Sequence, residues 1–249
     1  MRVWCREITD SIPSGINVTA AIGFKMLGEN VVYYRQIDDV IDRITRDDIV
    51  VDGVQQTRRV FSAMNILTRS MDYPSVLFPF LERKIWNDKI GRVRRFAEYP
   101  VFVKPVREKL FTGKVIRSVS DWAPLVHVAL SEPVYCSEVI DIRSEHRVFI
   151  RYDRILDVRP YHGDYHYQFD PEQLDRMLAA YVSWEDRPHA GAIDIAVTSD
   201  RKTVFLEFND GYAVGTYGLE PSVYARFLAA RWKQLMDVPD QYATDGFEI

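Results

Sequence analysis

The chain has 249 residues, of which 47% are hydrophobic and 27% are charged, a composition typical of a folded globular protein. Its formal net charge of −4 disfavours nucleic acid as a partner, although it leaves room for a local basic groove or an anionic small ligand. The N-terminus lacks the apolar core of a signal peptide, and no apolar run approaches the roughly 18 residues that span a bilayer. We therefore expect a cytoplasmic protein without membrane partners, and the sequence leaves its oligomeric state open.

The two cysteines, Cys5 and Cys136, lie far apart and belong to no metal-ligand spacing. We expect buried thiols rather than a disulfide or a zinc site.

Strand and helix signals alternate in the first part of the chain. Strands are predicted at Val3–Ile8, Val31–Arg35 and Ile49–Val51, and helices at Asn17–Leu27, Asp38–Ile44 and Gln55–Thr68. In the last helix, Val60, Met64 and Leu67 have the spacing of a buried face. This β-α-β rhythm favours a small parallel sheet, so we expect residues 1–75 to form a small α/β unit.

The rest of the chain, residues 76–249, is richer in short strands. The predicted strands are Val101–Lys104, Val134–Ile142, Arg147–Arg151, Ile155–Arg159, Ala192–Val197 and Val204–Asn209. The predicted helices are Asp121–Ala129, Pro171–Trp184 and Pro221–Met236. Several of these strands meet through short turns, which indicates an α+β architecture with a mostly antiparallel sheet.

The last two predicted strands form a hairpin with acidic groups on one face. Their apolar residues share a core face only if Ile193 pairs with Phe208, Ile195 with Leu206 and Val197 with Val204. This register places Asp194 directly opposite Glu207, and Asn209 lies two residues further along the same face. Residues 199–202 make a plausible four-residue loop.

Two carboxylates that face each other across a strand pair repel one another, and a divalent cation would remove that repulsion. Asp194, Glu207 and Asn209 supply the hard oxygen ligands that magnesium prefers. The alternative is a solvated polar face whose carboxylates have arginine or lysine neighbours.

Lysines surround one loop in the middle of the chain. Lys104 ends an apolar strand before Pro105, and Lys109 and Lys114 follow on either side of Gly113. Ammonium groups and free backbone N–H donors are what a polyphosphate requires, although a solvated loop is the commoner setting of any single lysine.

A second segment with candidate ligand contacts lies between residues 135 and 159. Glu138, Ile140 and Asp141 lie in a strand that runs into a connector, whose backbone suits an adenine edge and whose carboxylates suit a ribose. Arg147 and Arg159 lie on neighbouring strands, on opposite faces if the hairpin loop has two residues and on the same face if it has three. Either arginine suits phosphate or carboxylate, and either also suits a surface ion pair.

In this order, the motifs resemble the ATP-grasp superfamily. They are V-F-V-K-P-V-R-E-K-L-F-T-G, S-E-V-I-D-I-R-S-E-H-R-V-F, D-V-R-P-Y-H-G-D and L-E-F-N-D-G-Y-A-V-G-T-Y-G-L. More narrowly, they are similar to the small clade that is named for one arginine and two lysines, and they cover about Tyr99 to Leu219.

This resemblance implies an ATP-grasp fold that binds ATP and magnesium, with ligand contacts at defined positions. The residues that would contact ATP are Lys104, Lys109, Lys114, Glu138, Ile140 and Asp141. Those that would bind magnesium are Asp194, Glu207 and Asn209. Arg147 and Arg159 would contact the transferring phosphoryl group. Which lysine is the clade's second one stays open, and Lys84 and Lys89 are candidates for the upstream lysine of larger relatives.

The implied activity is a carboxylate–amine ligase that forms an acyl phosphate and releases ADP and phosphate. Its partners would be a small-molecule or peptide carboxylate and an amine acceptor, with acceptor contacts expected in residues 161–167 and 211–218. His162 or His166 is a candidate base for the amine, although a loop histidine is more often incidental. The alternatives are a kinase acting on a small hydroxyl substrate and a nucleotide-binding protein without turnover.

Overall fold

The computed structural model describes residues 1–7, 15–107 and 109–244. Its strands are β1 (Arg2–Arg6), β2 (Asn30–Tyr34), β3 (Ile49–Val51), β4 (Ile85–Lys89), β5 (Val101–Pro105), β6 (Lys114–Ile116), β7 (Pro133–Ser137), β8 (Ile142–Arg151), β9 (Arg154–Gly163), β10 (Ala190–Thr198) and β11 (Thr203–Asp210). Its α-helices are α1 (Gly15–Met26), α2 (Val54–Ala63), α3 (Ile90–Phe96), α4 (Pro171–Ser183) and α5 (Pro221–Met236). No helix in these ranges is long and apolar enough to cross a membrane.

The N-terminal strands form a three-stranded parallel sheet in the order β2-β1-β3, as the alternating signals predict. Helix α1 packs against this sheet and against α5, which comes from the other end of the chain. Gly23 makes the contact between the helices possible, because a Cβ there would lie 1.9 Å from the Pro221 carbonyl oxygen. The N-terminal core therefore includes the C-terminal helix, and the domain boundary at residue 75 stays a prediction.

Two antiparallel sheets follow. The second sheet has the order β4-β7-β5-β6, and its core contains Trp122 and the buried Cys136. The third sheet has the order β11-β10-β8-β9, and α4 packs against one of its faces through Met177 and Tyr181. A parallel sheet followed by mostly antiparallel sheets confirms the predicted fold class, and both cysteines are buried thiols.

Three predicted helices are wrong in kind or length. Asp38–Ile44 forms two 3-10 turns, Ile37–Asp39 and Ile41–Arg43, that meet at Val40. The helix predicted to reach Thr68 ends at Ala63, because Asn65 adopts a φ of 58°, and Leu67 is 89% exposed. Residues 119–125 form a 3-10 helix that contains Pro124, which cannot donate to an α-helical ladder.

The predicted strand Val134–Ile142 is two strands, β7 and β8, that are separated by residues 138–141. It divides at Glu138, whose backbone N–H donates to the Lys84 carbonyl at 3.1 Å. The short elements β4, α3 and β6 are absent from the predicted set. The predicted strand Val3–Ile8 ends at Ile8, which lies outside the described residues.

Candidate functional site

One row of charged residues crosses the whole third sheet. The directly opposed positions on its four strands are Arg159, Arg147, Asp194 and Glu207. Opposed residues share a face, so the row carries two positive charges and then two negative ones on the same side of the sheet. This face is the one opposite α4.

The central pair of the row is a buried ion pair. Arg147 donates from Nε to Asp194 Oδ1 at 2.7 Å and from Nη2 to Asp194 Oδ2 at 2.6 Å. The guanidinium also lies 4.6 Å from the centre of the Tyr217 ring and 5.9 Å from that of Tyr161. Two aromatic faces and a bidentate carboxylate therefore hold the planar group in one orientation.

The three predicted metal ligands converge. Asp194 is the cross-strand partner of Glu207, as predicted. Asn209 Nδ2 lies 3.1 Å from Asp194 Oδ2 and 3.5 Å from Glu207 Oε1. The hairpin loop has the predicted four residues between β10 and β11.

Lys104 joins the second sheet to this row. Its ammonium contacts Glu207 Oε2 and lies 2.5 Å from Asp72 Oδ2, with the Tyr73 ring centre at 5.4 Å. Each carboxylate of the hairpin therefore has a basic partner, Arg147 for Asp194 and Lys104 for Glu207. The carboxylate repulsion is relieved without a cation, so it no longer argues for one.

The surroundings of these groups shift their proton affinities. Burial raises the pKa of Asp194 to about 6, although its hydrogen bonds with Arg147 oppose the rise. Burial alone lowers the pKa of Lys104, but Glu207 and Asp72 outweigh it, and the pKa is raised. The pKa of Arg147 is raised in the same way, because Asp194 outweighs burial. Both basic groups therefore stay charged at neutral pH.

A cavity of about 920 Å³ opens between the second and third sheets. Of the predicted site residues, it is lined by Lys104, Lys109, Glu138, Ile140, Arg147, Glu207 and Asn209. Asp194 lies beneath this wall and is only 2% exposed. A volume of this size suits a ligand as large as a nucleotide.

Glu138 and Ile140 line one end of the cavity, in the connector between β7 and β8. A Glu138 carboxylate oxygen accepts a hydrogen bond from the Lys84 backbone N–H at 2.9 Å. Apolar side chains line the space near this connector: Phe102, Val115, Val139, Ile142 and Leu206. These apolar walls suit a planar heterocycle.

Besides Asp194, three predicted site residues are not among those that line the cavity. Lys114 lies on β6 opposite Val103, and the Asp141 carboxylate accepts from Arg143 at 2.7 Å. Arg159 forms an ion pair with Asp157 at 2.5 Å. The two candidate bases also lie elsewhere: His162 lines a second cavity of about 530 Å³, and His166 contacts Asp164.

β-Bulges decide which residues face this site. The predicted pairs Ile195–Leu206 and Val197–Val204 are wrong, because Leu206 is an extra residue and Ile195 pairs with Phe205. Phe205 thus enters the core, and Leu206 lines the cavity. The hairpin between β8 and β9 has a two-residue loop, yet an extra residue at Leu156 brings Arg147 opposite Arg159.

The sequence-based assignment does not include several cavity residues. They are Asp72, Tyr73, Arg83, Glu145 and Leu206. Glu145 lies two residues before Arg147 on the same strand, so the alternation of side chains along a strand places both on the same face and could have identified it. Tyr161 and Tyr217 lie within the predicted acceptor segments, although residues 161–163 belong to strand β9 rather than to a loop. Asp72 and Arg83 carry no local signal, because the tertiary fold alone brings them to the site.

The donor set fits a hard divalent cation. The described residues include no group of three or more His, Cys, Asp or Glu side chains suited to a metal ion, so a site here depends on the Asn209 amide oxygen as well. That amide now donates from Nδ2 to both carboxylates and would have to turn over to ligate a metal. Each Asp194 oxygen accepts one hydrogen bond from Arg147 and keeps further lone pairs, and the Glu207 side chain is 31% exposed at the cavity wall. Two carboxylates and an amide are ligands that magnesium accepts.

Known proteins share this fold. The solved structures that resemble the chain include D-alanine–D-alanine ligase from Bacillus anthracis, with a TM-score of 0.58 and 12% identity over 95% of this chain and 98% of that one. The ADP complex of PurK, an N5-carboxyaminoimidazole ribonucleotide synthetase, has a TM-score of 0.65 and 11% identity, over 96% of this chain and 76% of that one. Macrocyclase MdnC bound with precursor peptide MdnA from Microcystis aeruginosa MRC has a TM-score of 0.50 and 12% identity, over 92% of this chain and 99% of that one.

No curated protein matches the chain in sequence. The family described as ATP-grasp domain, R2K clade family 2, matches residues 80–227, more than half of the chain. That range contains the lysine strand β5, the connector with Glu138 and the whole third sheet with its charged row. The chain belongs to this ATP-grasp family.

Proposed function

We propose that the chain is an ATP-dependent carboxylate–amine ligase that works through an acyl phosphate. The observation that carries this proposal is the charged row of the third sheet, with Lys104 reaching it from the second sheet. Membership of the ATP-grasp family supports ATP as the nucleotide, and several of the similar structures, D-alanine–D-alanine ligase among them, are named as ligases.

In the proposed reaction, a substrate carboxylate oxygen attacks the γ-phosphorus of ATP, and the bond from that phosphorus to the bridging oxygen breaks to release ADP. An amine nitrogen then attacks the acyl carbon, the carbon–oxygen bond to phosphate breaks, and the nitrogen loses a proton to solvent. The products are an amide, ADP and phosphate. Negative charge gathers at the transferring group, so fixed cations are the main catalytic requirement.

Lys104 and Arg147 would supply these cations. Nucleotide phosphates would compete with Asp72 and Glu207 for the Lys104 ammonium, which Tyr73 holds from one side. Arg147 uses Nε and Nη2 for Asp194, so Nη1 is the nitrogen that would face the phosphoryl oxygens. Because the guanidinium is already oriented, little reorganisation is needed during transfer.

Asp194, Glu207 and Asn209 would hold magnesium, which supplies neutralisation of the phosphate charge when it is bound. Glu138 and the backbone at Ile140 would contact the adenosine, and Asp141 is a further candidate beside them. Lys109 would lie over the phosphates with residues 111–113, which line the same cavity. This loop would also keep water away from the acyl phosphate.

The substrates would be a small-molecule or peptide carboxylate and an amine. Both classes are represented among the similar structures, a D-alanine ligase on the one hand and a macrocyclase bound to a precursor peptide on the other. Tyr161 and Tyr217 flank Arg147 at the cavity wall, which makes them candidates for acceptor contacts.

The test measures ADP release from ATP and magnesium with panels of carboxylates and amines. Hydroxylamine replaces the amine in a parallel reaction, because only an acyl phosphate traps it as a hydroxamate. We expect carboxylate-dependent ADP release and hydroxamate formation. Release of AMP, or ADP release that follows a hydroxyl acceptor without hydroxamate, contradicts the proposal.

A further inference from the structure

The bulge beside Glu207 is held by an arginine from outside the sheet. Arg83 Nη1 donates to the Phe205 carbonyl oxygen at 2.7 Å, and Nη2 donates to the Leu206 carbonyl oxygen at 3.1 Å. These are the carbonyls on both sides of the extra residue, where the regular ladder is broken. The second contact fixes the peptide group that leads from Leu206 into Glu207.

Burial of the Arg83 guanidinium beside these carbonyls is energetically unfavourable. The residue is partly buried at the cavity wall, where burial lowers its pKa, although Tyr73 and Glu207 oppose that effect. Its side chain also donates to the Leu81 carbonyl at 3.1 Å and forms a hydrogen bond with Tyr73, and no described ion pair joins it to a carboxylate. A cation that is withdrawn from water to cap main-chain oxygens favours a specific positional role over general stability.

The same segment of chain fixes Glu207 from its other side. The Phe208 N–H donates to the Asp72 carbonyl oxygen at 2.8 Å. Glu207 therefore stands between two main-chain groups, at Leu206 and Phe208, that are both fixed by residues 72–83. Without the bulge, strict alternation would place Leu206 opposite Ile195 and turn Phe205 away from the core.

We propose that Arg83 is a positioning residue for divalent-cation binding, because it holds the bulged backbone that keeps the Glu207 carboxylate beside Asp194 and Asn209. This inference rests on the proposed function. Groups that orient metal ligands without touching the metal typically change metal affinity by about 10-fold to 100-fold when they are removed. The inference assigns Arg83 no contact with the nucleotide.

The experiment uses Mn²⁺ as the probe, with a non-hydrolysable ATP analogue, and measures free Mn²⁺ by electron paramagnetic resonance. Arg83→Lys keeps the charge but loses the planar fork, and Arg83→Met loses both. Arg187→Lys is the matched control, since Arg187 also caps carbonyls, those of Val182 at 3.0 Å and Trp184 at 3.4 Å, away from the cavity. Binding of the analogue without metal and thermal midpoints are measured for all variants.

We expect both Arg83 variants to bind Mn²⁺ about 10-fold more weakly than the unsubstituted protein. Metal-free binding of the analogue should stay within about two-fold, and Arg187→Lys should leave Mn²⁺ affinity unchanged at a similar thermal midpoint. Unchanged Mn²⁺ affinity, an equal loss of metal-free binding, or loss of folding in both Arg83 variants overturns the proposal. No step needs turnover, so a failed ligase assay leaves this result interpretable, whereas absence of Mn²⁺ binding in the unsubstituted protein refutes the metal site itself.

Discussion

Arg147 and Asp194 are direct cross-strand partners, and the guanidinium binds both carboxylate oxygens at 2.7 and 2.6 Å in a setting that excludes most water. Together with the Lys104–Glu207 contact, this pair relieves the repulsion between the opposed carboxylates. It also fixes an arginine beside the predicted phosphate site, so one contact serves both the fold and the proposed chemistry.

Removal of Arg147 should destabilise the protein strongly. Arg147→Met leaves Asp194 buried without a charged partner, and we expect a loss of about 3–5 kcal/mol in the free energy of unfolding, measured by urea denaturation. The double variant Arg147→Met/Asp194→Leu should recover much of this loss, because an apolar pair removes the unpaired charge. Neither variant should release ADP. A double variant as unstable as the single one would contradict the assigned role of the pair.

The two loop lysines should differ in their effect on nucleotide binding. Lys109 lines the cavity and Lys114 does not, so Lys109→Gln should weaken binding of an ATP analogue more than Lys114→Gln. We expect a change of about 1.5–3 kcal/mol, roughly 10-fold to 150-fold, for a lost charged contact, measured by titration calorimetry. Lys104→Gln serves as the reference for a larger loss. Equal effects at both positions would contradict this difference and show that Lys114 also contacts the nucleotide.

Acid should destabilise the protein through the buried His146 and the half-buried His189. Burial lowers the pKa of His146, which is 5% exposed, and of His189, below the ordinary value of about 6.5. The unfolded chain then binds more protons, so this stability is fully present above about pH 6.5 and is lost as the pH falls. His146→Phe should reduce the drop in urea midpoint between about pH 7.5 and 5.5. His127→Gln, at an exposed position, is the control; an unchanged drop in His146→Phe would refute the prediction.

The contact between α1 and α5 should tolerate no side chain at Gly23. Gly23→Ala places a methyl group against the Pro221 carbonyl, and we expect a loss of about 1–3 kcal/mol from overpacking, seen as a lower thermal midpoint. Gly15→Ala, in the same helix with nothing within 4 Å of the new Cβ, should be neutral or stabilising. Equal midpoints for the two variants would show that the helices move apart without cost.

The sequence alone determined the fold class and the convergence of Asp194, Glu207 and Asn209. Each depends on a local period: the β-α-β rhythm predicts the parallel sheet, and alternation puts Asp194 opposite Glu207. Helix α5 has its predicted bounds, from Pro221 to Met236, because proline favours its first turn.

Only the tertiary structure decided which residues complete the site. The bulges at Leu206 and Leu156 shift the register by one residue, and alternation cannot foresee an inserted residue that long-range contacts stabilise. Asp72 and Arg83 reach the site from a segment before the lysine strand, so no spacing in the sequence relates them to Lys104 or Glu207. The types of the candidate ligands and the face on which they lie follow from the sequence. Their ion-pair partners follow from tertiary packing, because a charged group in a cavity pairs with the opposite charge that the fold places next to it.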